Sequence, residues 1–197
     1  MDSRKIAKSV AYGLNPLVVA AFTFVTLLLS KRPQNLLMLI CITLMFGTFV
    51  PLASLYYLLR KEMIPDIYVS DRERRVLPFL CALSSYLLGV MALLAVGAPQ
   101  IITAVMLSYF GNSLVMMMIG LRWKISIHTS GIAGPATALA YSLGNWWLLF
   151  AVIAVPVGWA RVTMKAHTIA QVAAGALLTA ATTWLQLQIY SRLLLSL

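Results

Sequence analysis

Seven long apolar segments divide the chain, and they constrain its fold more than any other feature of the sequence. A helix crosses a bilayer core of about 30 Å with roughly 20 apolar residues, within a range of about 17–25. Segments of about that size lie at 14–30, 36–59, 76–96, 100–120, 129–143, 146–161 and 168–191. The sequence therefore predicts an all-α fold, a polytopic transmembrane helix bundle of about six or seven spans.

The composition also indicates an integral membrane protein. Of the 197 residues, 61% are hydrophobic and 10% are charged, whereas soluble domains are about 45–50% apolar and about 25% charged. The basic residues before the first segment resemble the start of a signal sequence, but no convincing cleavage site follows, which predicts an uncleaved first span. Since no fixed repeat or low-complexity linker interrupts the chain, we expect residues 1–197 to form a single membrane domain.

The positive charge lies mainly on one side of this predicted topology. The chain has 15 Lys and Arg against 5 Asp and Glu, a net charge of +10. If the chain crosses the membrane seven times, the loops at 60–75, 121–128 and 161–167 lie on the same face as the N-terminus. This face then carries 12 of the 15 cations. By the positive-inside rule this face is predicted to be cytoplasmic. Because the cations interrupt apolar segments and do not cover a soluble surface, we expect no nucleic-acid partner.

Both histidines of the chain, His128 and His167, fall at helix ends on this face. A lone histidine there is usually a solvated surface residue, and clustered cations attract anionic lipid headgroups by about 1 kcal/mol each. The alternative is a phosphate pocket, because the arginine fork matches phosphate oxygens and the helix after His167 offers free N–H groups to an anion. Two histidines with neighbouring cations favour the pocket.

Two of the segments around these histidines resemble signatures of the type 2 phosphatidic acid phosphatase superfamily. Residues 161–171 resemble the third signature, S-R-x5-H-x3-D, with Arg161 and His167 at the family's spacing and with Gln171 in place of the Asp. Residues 125–128 are similar to the second signature, P-S-G-H, and keep Ser126 and His128.

The first signature of the family, K-x6-R-P, is matched only loosely. Lys61 precedes a basic stretch in which Arg72 and Arg75 would share one helical face. The resemblance covers a phosphatase-like core at about residues 60–185, with its three segments in the family's order.

The resemblance implies a membrane lipid phosphatase that works through a phosphohistidine and needs no metal. His167 would attack phosphorus, and His128 would protonate the leaving oxygen. The resemblance implies phosphate binding by Lys61, Arg72, Arg75, Lys124, Ser126 and Arg161. The substrate would be a phosphate monoester or diphosphate of a lipid or polyprenyl alcohol, and membrane lipids would be the partners.

The scarcity of acidic residues bears on cofactors. The five acids, Asp2, Glu62, Asp66, Asp71 and Glu73, include no paired cluster of the DDxxD type. Mg²⁺ in phosphoryl-transfer sites is usually held by carboxylates, so we expect no metal or other cofactor. Membrane prenyltransferases and CDP-alcohol transferases are poor fits for the same reason.

With Gln171 in place of the Asp of the third signature, the residues are compatible with an active enzyme and with a non-catalytic protein. Its amide oxygen can accept a hydrogen bond from Nδ1 of His167 and hold the ring, but it carries no negative charge. The outcome could be slower turnover or an acid supplied by residue 66, 71 or 73. The alternative function is a non-catalytic protein that binds or transports anionic lipids and retains the phosphate pocket. A solute channel is disfavoured because ionisable residues within the spans are nearly absent.

Overall fold

The chain folds into a bundle in which every regular element among the described residues is helical. The computed structural model describes residues 3–67, 69, 71 and 73–194. The helices of this described part are α1 (Ser3–Gly13), α2 (Pro16–Lys31), α3 (Leu36–Arg60), α4 (Glu73–Ala95), α5 (Gln100–Gly120), α6 (Ile127–Leu143), α7 (Asn145–Thr163) and α8 (Ile169–Leu194). The predicted all-α class is confirmed.

Five helices of the described chain, α3, α4, α5, α7 and α8, are long and apolar enough to cross a membrane. The α1–α2 pair adds a sixth candidate if the two helices, bent by 40°, count as one span. The bend follows from the sequence, because Pro16 begins α2 and the side chain of Asn15 accepts a hydrogen bond from the Leu17 N–H at 2.9 Å. The predicted transmembrane bundle is therefore confirmed.

The predicted span at 129–143 corresponds to the central helix of the bundle. With 17 residues, α6 is at the lower limit of spanning lengths, and it packs against α2, α7 and α8. The predicted break after it is confirmed at Gly144, whose φ of 118° lies in a region that favours glycine. The first half of α7, Asn145–Ile153, is a 3₁₀ helix.

Small residues let α6 approach its neighbours closely. A Cβ on Gly131 would lie 2.6 Å from Cβ of Pro16 on α2, and one on Gly134 would lie 3.0 Å from Thr179 on α8. On α8, the place of a Gly175 Cβ is taken by the backbone carbonyl of Ser126. These contacts fix how deeply the segment before α6 sits against α8.

A widened turn in α3 shapes the opposite wall of the bundle. The π-helical turn Met45–Phe49 ends two residues before Pro51, whose ring nitrogen cannot donate a hydrogen bond to the carbonyl four residues earlier. The hydroxyl of Ser85 on α4 donates to the carbonyl of Phe46 at 2.7 Å, which satisfies one of the carbonyls of this turn. The turn thus joins α3 to α4 and places Pro51 towards the cavity described below.

Polar side chains within the bundle link α5 to α8. Asn112 donates to the hydroxyl of Thr183 at 2.8 Å, and its carbonyl oxygen accepts from Thr182 at 2.8 Å and from Gln186 at 3.3 Å. Such bonds hold helices together where no water is present to compete. Asn112 therefore has a structural role, because its side chain joins α5 to α8.

Candidate phosphate site

A cavity of about 170 Å³ lies near the start of α6 and the end of α7, and it brings together four predicted site residues. These are Arg75, His128, Arg161 and His167. Most of the remaining lining is apolar and comes from α2, α3 and α4: Pro16, Leu17, Pro51, Leu55, Pro78, Phe79 and Ala82. The cavity therefore combines two guanidinium groups and two imidazole rings with an apolar wall.

Backbone carbonyls hold the first of these cations, Arg75, in place. The side chain is only 4% exposed, and its Nε donates to the carbonyl of Val69 at 2.9 Å while Nη1 donates to that of Ile125 at 3.3 Å. These bonds orient the guanidinium through neutral acceptors, and the negative charge of Asp66 offsets part of its positive charge. A buried cation whose hydrogen bonds go to neutral groups can attract a further anion.

The second buried cation, Arg161, lies in the last turn of α7 and is 2% exposed. It is near enough to Arg75 for the two charges to repel each other. Holding two guanidinium groups together in a protein interior is unfavourable unless negative charge is supplied. An anion that binds between them would relieve this repulsion.

The ring of His167 is held in one tautomer by its surroundings. Its Nδ1 lies 3.2 Å from the backbone carbonyl oxygen of Lys124 and 3.2 Å from Oε1 of Gln171. A carbonyl oxygen can only accept, so Nδ1 carries the hydrogen in these contacts. In the neutral ring Nε2 is then the nitrogen with the available lone pair.

Burial and positive charge keep this ring neutral. Burial, followed by repulsion from Arg161 and Arg75, lowers the pKa of His167 from 6.5 to about 4, although the bonds to Lys124 and Gln171 act in the opposite direction. The pKa of the Lys124 ammonium is lowered by burial and by repulsion from the same two arginines. The field of the two guanidinium groups therefore extends to His167 and Lys124.

Gln171 serves both His167 and the start of α8. Its Oε1 accepts the backbone N–H of Thr168 at 3.1 Å, and its own N–H donates to the hydroxyl of Thr168 at 3.3 Å. This reciprocal pattern is a capping box, T-x-x-Q, before an apolar run. The spacing of Thr168 and Gln171 indicates this capping box in the sequence, but it was not predicted above.

The other predicted residues occupy different positions. Ser126 is fully buried, and its hydroxyl accepts from the Thr129 N–H at 3.5 Å as the N-cap of α6. Lys124 is half-buried and contributes its carbonyl to His167. Lys61 is exposed at the end of α3, with Nζ 6.0 Å from the centroid of the Tyr57 ring. Arg72 lies outside the described residues.

Two of the acidic residues considered as substitutes for the Asp of the third signature, Asp66 and Asp71, have other interactions. Asp71 is exposed, lies 3.6 Å from Nε of Arg74 and accepts from the N–H of Glu73. The charges of Asp66 and Asp71 raise the pKa of Lys124 and thus offset part of the effect of the arginines. The groups that contact Nδ1 of His167 are a peptide carbonyl and an amide, both neutral.

The donor set of the site suits an anion. Within residues 3–67, 69, 71 and 73–194, no group of three or more His, Cys, Asp or Glu side chains could hold a metal ion. Comparisons of the chain with protein-family models, curated proteins and solved structures find no match. Any functional proposal therefore depends on the chemistry of the cavity itself.

Proposed function

We propose that this protein is a membrane-embedded lipid phosphatase that hydrolyses a phosphate monoester or diphosphate of a lipid or polyprenyl alcohol. The observation that supports the proposal most directly is that His128, His167, Arg75 and Arg161 line one cavity. The three sequence segments that resemble the phosphatidic acid phosphatase signatures supply all four residues. A chance resemblance would not require these distant segments to meet.

In the proposed reaction, Nε2 of His167 attacks phosphorus and the bond between phosphorus and the alcohol oxygen breaks. His128 in its protonated form gives its proton to the departing oxygen, so the alcohol leaves neutral. Water then attacks the phosphohistidine, His128 takes a proton from that water, and inorganic phosphate leaves. The phosphate charge favours protonation of His128 because it offsets the neighbouring cations.

The two buried arginines supply the positive charge that phosphoryl transfer requires. This reaction depends mainly on positioning and on neutralisation of the phosphoryl oxygens. Arg75 is oriented by two carbonyls, and Arg161 is held in the last turn of α7. Guanidinium forks bind phosphate oxygens in pairs, so the two side chains can hold a tetrahedral phosphoryl group without a metal.

The apolar part of the cavity favours a lipid over a soluble phosphate ester. Leu17, Leu55 and Phe79 line the cavity that also holds the charged groups, so a headgroup and the first part of its chain would find complementary surfaces. The excess of cations on the predicted face supports a cytoplasmic active site.

Phosphate release from lipids tests the proposal. The purified protein is supplied with phosphatidic acid, a polyprenyl diphosphate or an aryl phosphate, in the presence of EDTA, and inorganic phosphate is measured. We expect release from at least one lipid substrate that chelation does not prevent. Failure to release phosphate from all three would contradict the proposal.

The alternative, a non-catalytic protein that binds or transports anionic lipids, is favoured by one observation. The two groups that contact Nδ1 of His167, the amide of Gln171 and the Lys124 carbonyl, are both neutral, whereas the family resemblance places an Asp at the position of Gln171. Such a protein would bind phosphatidic acid vesicles but release no phosphate, and it would tolerate replacement of either histidine.

The protonation of His167 provides a prediction that does not depend on activity. In the substrate-free protein, the ring should titrate with a midpoint near pH 4, because burial and the two arginines disfavour the imidazolium. Nitrogen NMR of histidine-labelled protein measures this midpoint. Added inorganic phosphate should raise it, since an anion stabilises the charged ring. A midpoint near 6.5 without phosphate would contradict the described surroundings of His167.

Replacing Gln171 with glutamate should increase activity. The substitution Gln171→Glu keeps the side-chain length and the capping box, and it puts a negative charge beside Nδ1 of His167. The pKa of His167 should rise, and a rise of one unit corresponds to about 1.4 kcal/mol of imidazolium stabilisation, or about tenfold in rate. The measurements are kcat and the NMR midpoint. An upward midpoint with an unchanged kcat would show that this charge does not limit turnover.

A further inference from the structure

Three consecutive residues, 124–126, each bond to a different part of the candidate site. The carbonyl of Lys124 accepts from His167, the carbonyl of Ile125 accepts from Arg75, and the N–H of Ser126 donates to the carbonyl of Gln171 at 3.2 Å. We refer to these residues as the 124–126 segment. The segment uses its main chain in all three contacts, so the identity of its side chains does not determine them.

The position of this segment depends on one glycine of α8. A Cβ on Gly175 would collide with the backbone carbonyl oxygen of Ser126 and would lie 2.8 Å from the hydroxyl of Thr129. Thr129 also donates to the carbonyl of Val172 at 2.8 Å, which ties the start of α6 to the same turn of α8. The nearest obstacle is backbone, and it cannot move away as the end of a flexible side chain could.

We infer that Gly175 is a positioning residue of the site, because it lets the 124–126 segment lie where the Lys124 carbonyl fixes the reactive tautomer of His167. In this arrangement a main-chain carbonyl and the amide oxygen of Gln171 accept from Nδ1 of His167, whereas the third signature of the family has an Asp four residues after its histidine. A neutral carbonyl selects the Nδ1–H form as a carboxylate does, but it adds no negative charge to the ring. The inference rests on the proposed function only where it concerns the rate of the reaction.

The test compares two glycine substitutions in neighbouring helices. Gly175→Ala forces the 124–126 segment away from α8. Gly158→Ala, in α7, serves as the matched control, because its new Cβ would meet Thr129 and Val172 at an ordinary distance of 3.6 Å. Both substitutions add one methyl group inside a helix near the same residues, so they differ mainly in their effect on the segment.

The first readout is the tautomer of His167, measured by nitrogen NMR near neutral pH. The chain has only two histidines, and a His128→Asn sample assigns the two signals. We expect unmodified His167 to be almost entirely in the Nδ1–H form and Gly158→Ala to match it. Gly175→Ala should show a mixture of both tautomers, because the remaining acceptor, Oε1 of Gln171, is shared with the Thr168 N–H and holds the Nδ1 hydrogen less firmly. A mixture or the Nε2–H form in the unmodified protein would overturn the inference, even if Gly175→Ala did not fold.

The second readout is kcat with the lipid substrate that is turned over fastest. Gly175→Ala should lower kcat by about tenfold, the rate equivalent of one lost hydrogen bond, whereas Gly158→Ala should not. Adding Gln171→Glu to Gly175→Ala should restore the Nδ1–H form and recover the lost rate, since a carboxylate replaces the displaced carbonyl. Equal kcat and equal tautomer populations in the two glycine variants would overturn the inference.

The two readouts separate this inference from the proposed function. If the unmodified protein released no phosphate but the tautomer of His167 changed as described, the proposed function would fail and the positioning role of Gly175 would stand. If phosphate were released but Gly175→Ala changed neither readout, the proposed function would stand and the positioning role would fail.

Discussion

Replacing His167 with alanine should reduce phosphate release by about 10⁴-fold or more, as expected when the nucleophile of a covalent mechanism is removed. The ring lines the cavity beside Arg75 and Arg161, and its Nδ1–H is held by Lys124 and Gln171. An imidazole nitrogen with a free lone pair at neutral pH and a fixed orientation meets the requirements of a nucleophile. The measurement is kcat for lipid hydrolysis in detergent or nanodiscs.

Two further measurements show whether His167→Ala loses activity because the nucleophile is missing or because the site is disrupted. Binding of the variant to phosphatidic acid vesicles should stay within a few-fold of the unmodified protein, because both arginines remain. Brief incubation of the unmodified protein with labelled substrate should leave acid-labile phosphate on the chain, and the variant should acquire none. A variant that retained more than a tenth of the activity would exclude His167 as the nucleophile.

The helices could be predicted because the bilayer imposes one simple requirement on them. The apolar segments at 36–59 and 100–120 correspond closely to α3 and α5, since every backbone group in lipid must be paired within a helix. The bend between α1 and α2 was missed, although Asn15 and Pro16 form a recognisable cap. The break at Gly144 falls between the predicted segments 129–143 and 146–161.

The side chains of the candidate site could also be predicted, but their partners could not. Arg161, His167 and His128 are distinctive residue types in an apolar chain, so their spacing is informative. The acceptors at Val69, Lys124 and Ile125 are carbonyls, and every residue has one. Only the tertiary fold determines which carbonyl faces a given side chain.

Ser126 illustrates the same limit for a side chain. Its position in a signature-like segment suggested a bond to phosphate, yet its hydroxyl caps α6 and is completely buried. A serine directly before a helix fits both roles. The hydroxyl accepts in the cap and keeps its own hydrogen for a second bond, and the depth at which the 124–126 segment sits against Gly175, a property of helix packing, determines whether a phosphate can reach it.

Replacing Arg161 with methionine is the second substitution for which we expect a large effect. The side chain is 2% exposed and lines the cavity, so methionine fills similar space and removes the charge and the fork. We expect kcat/KM to fall by about 10³-fold, the range found when a single group that stabilises transition-state charge is removed. Lys8→Ala is the matched control, because Lys8 is an exposed cation on α1 outside the cavity lining, and it should change kcat/KM less than twofold.

The protonation of His167 shows whether Arg161 acts at the site itself. Arg161 is the largest charge effect that lowers the pKa of His167, so Arg161→Met should move the NMR midpoint upward from about pH 4. Arg161→Lys keeps the charge and should leave the midpoint nearly unchanged, but it should still lose activity because an ammonium cannot form paired bonds to phosphate oxygens. If both variants lost activity but only Arg161→Met shifted the titration midpoint of His167, the two contributions of Arg161 would be separated. These are the effect of its charge on His167 and the paired hydrogen bonds of its guanidinium group to the phosphate. A midpoint unaffected by Arg161→Met would place its charge away from His167 and would contradict the site geometry on which the proposed mechanism depends.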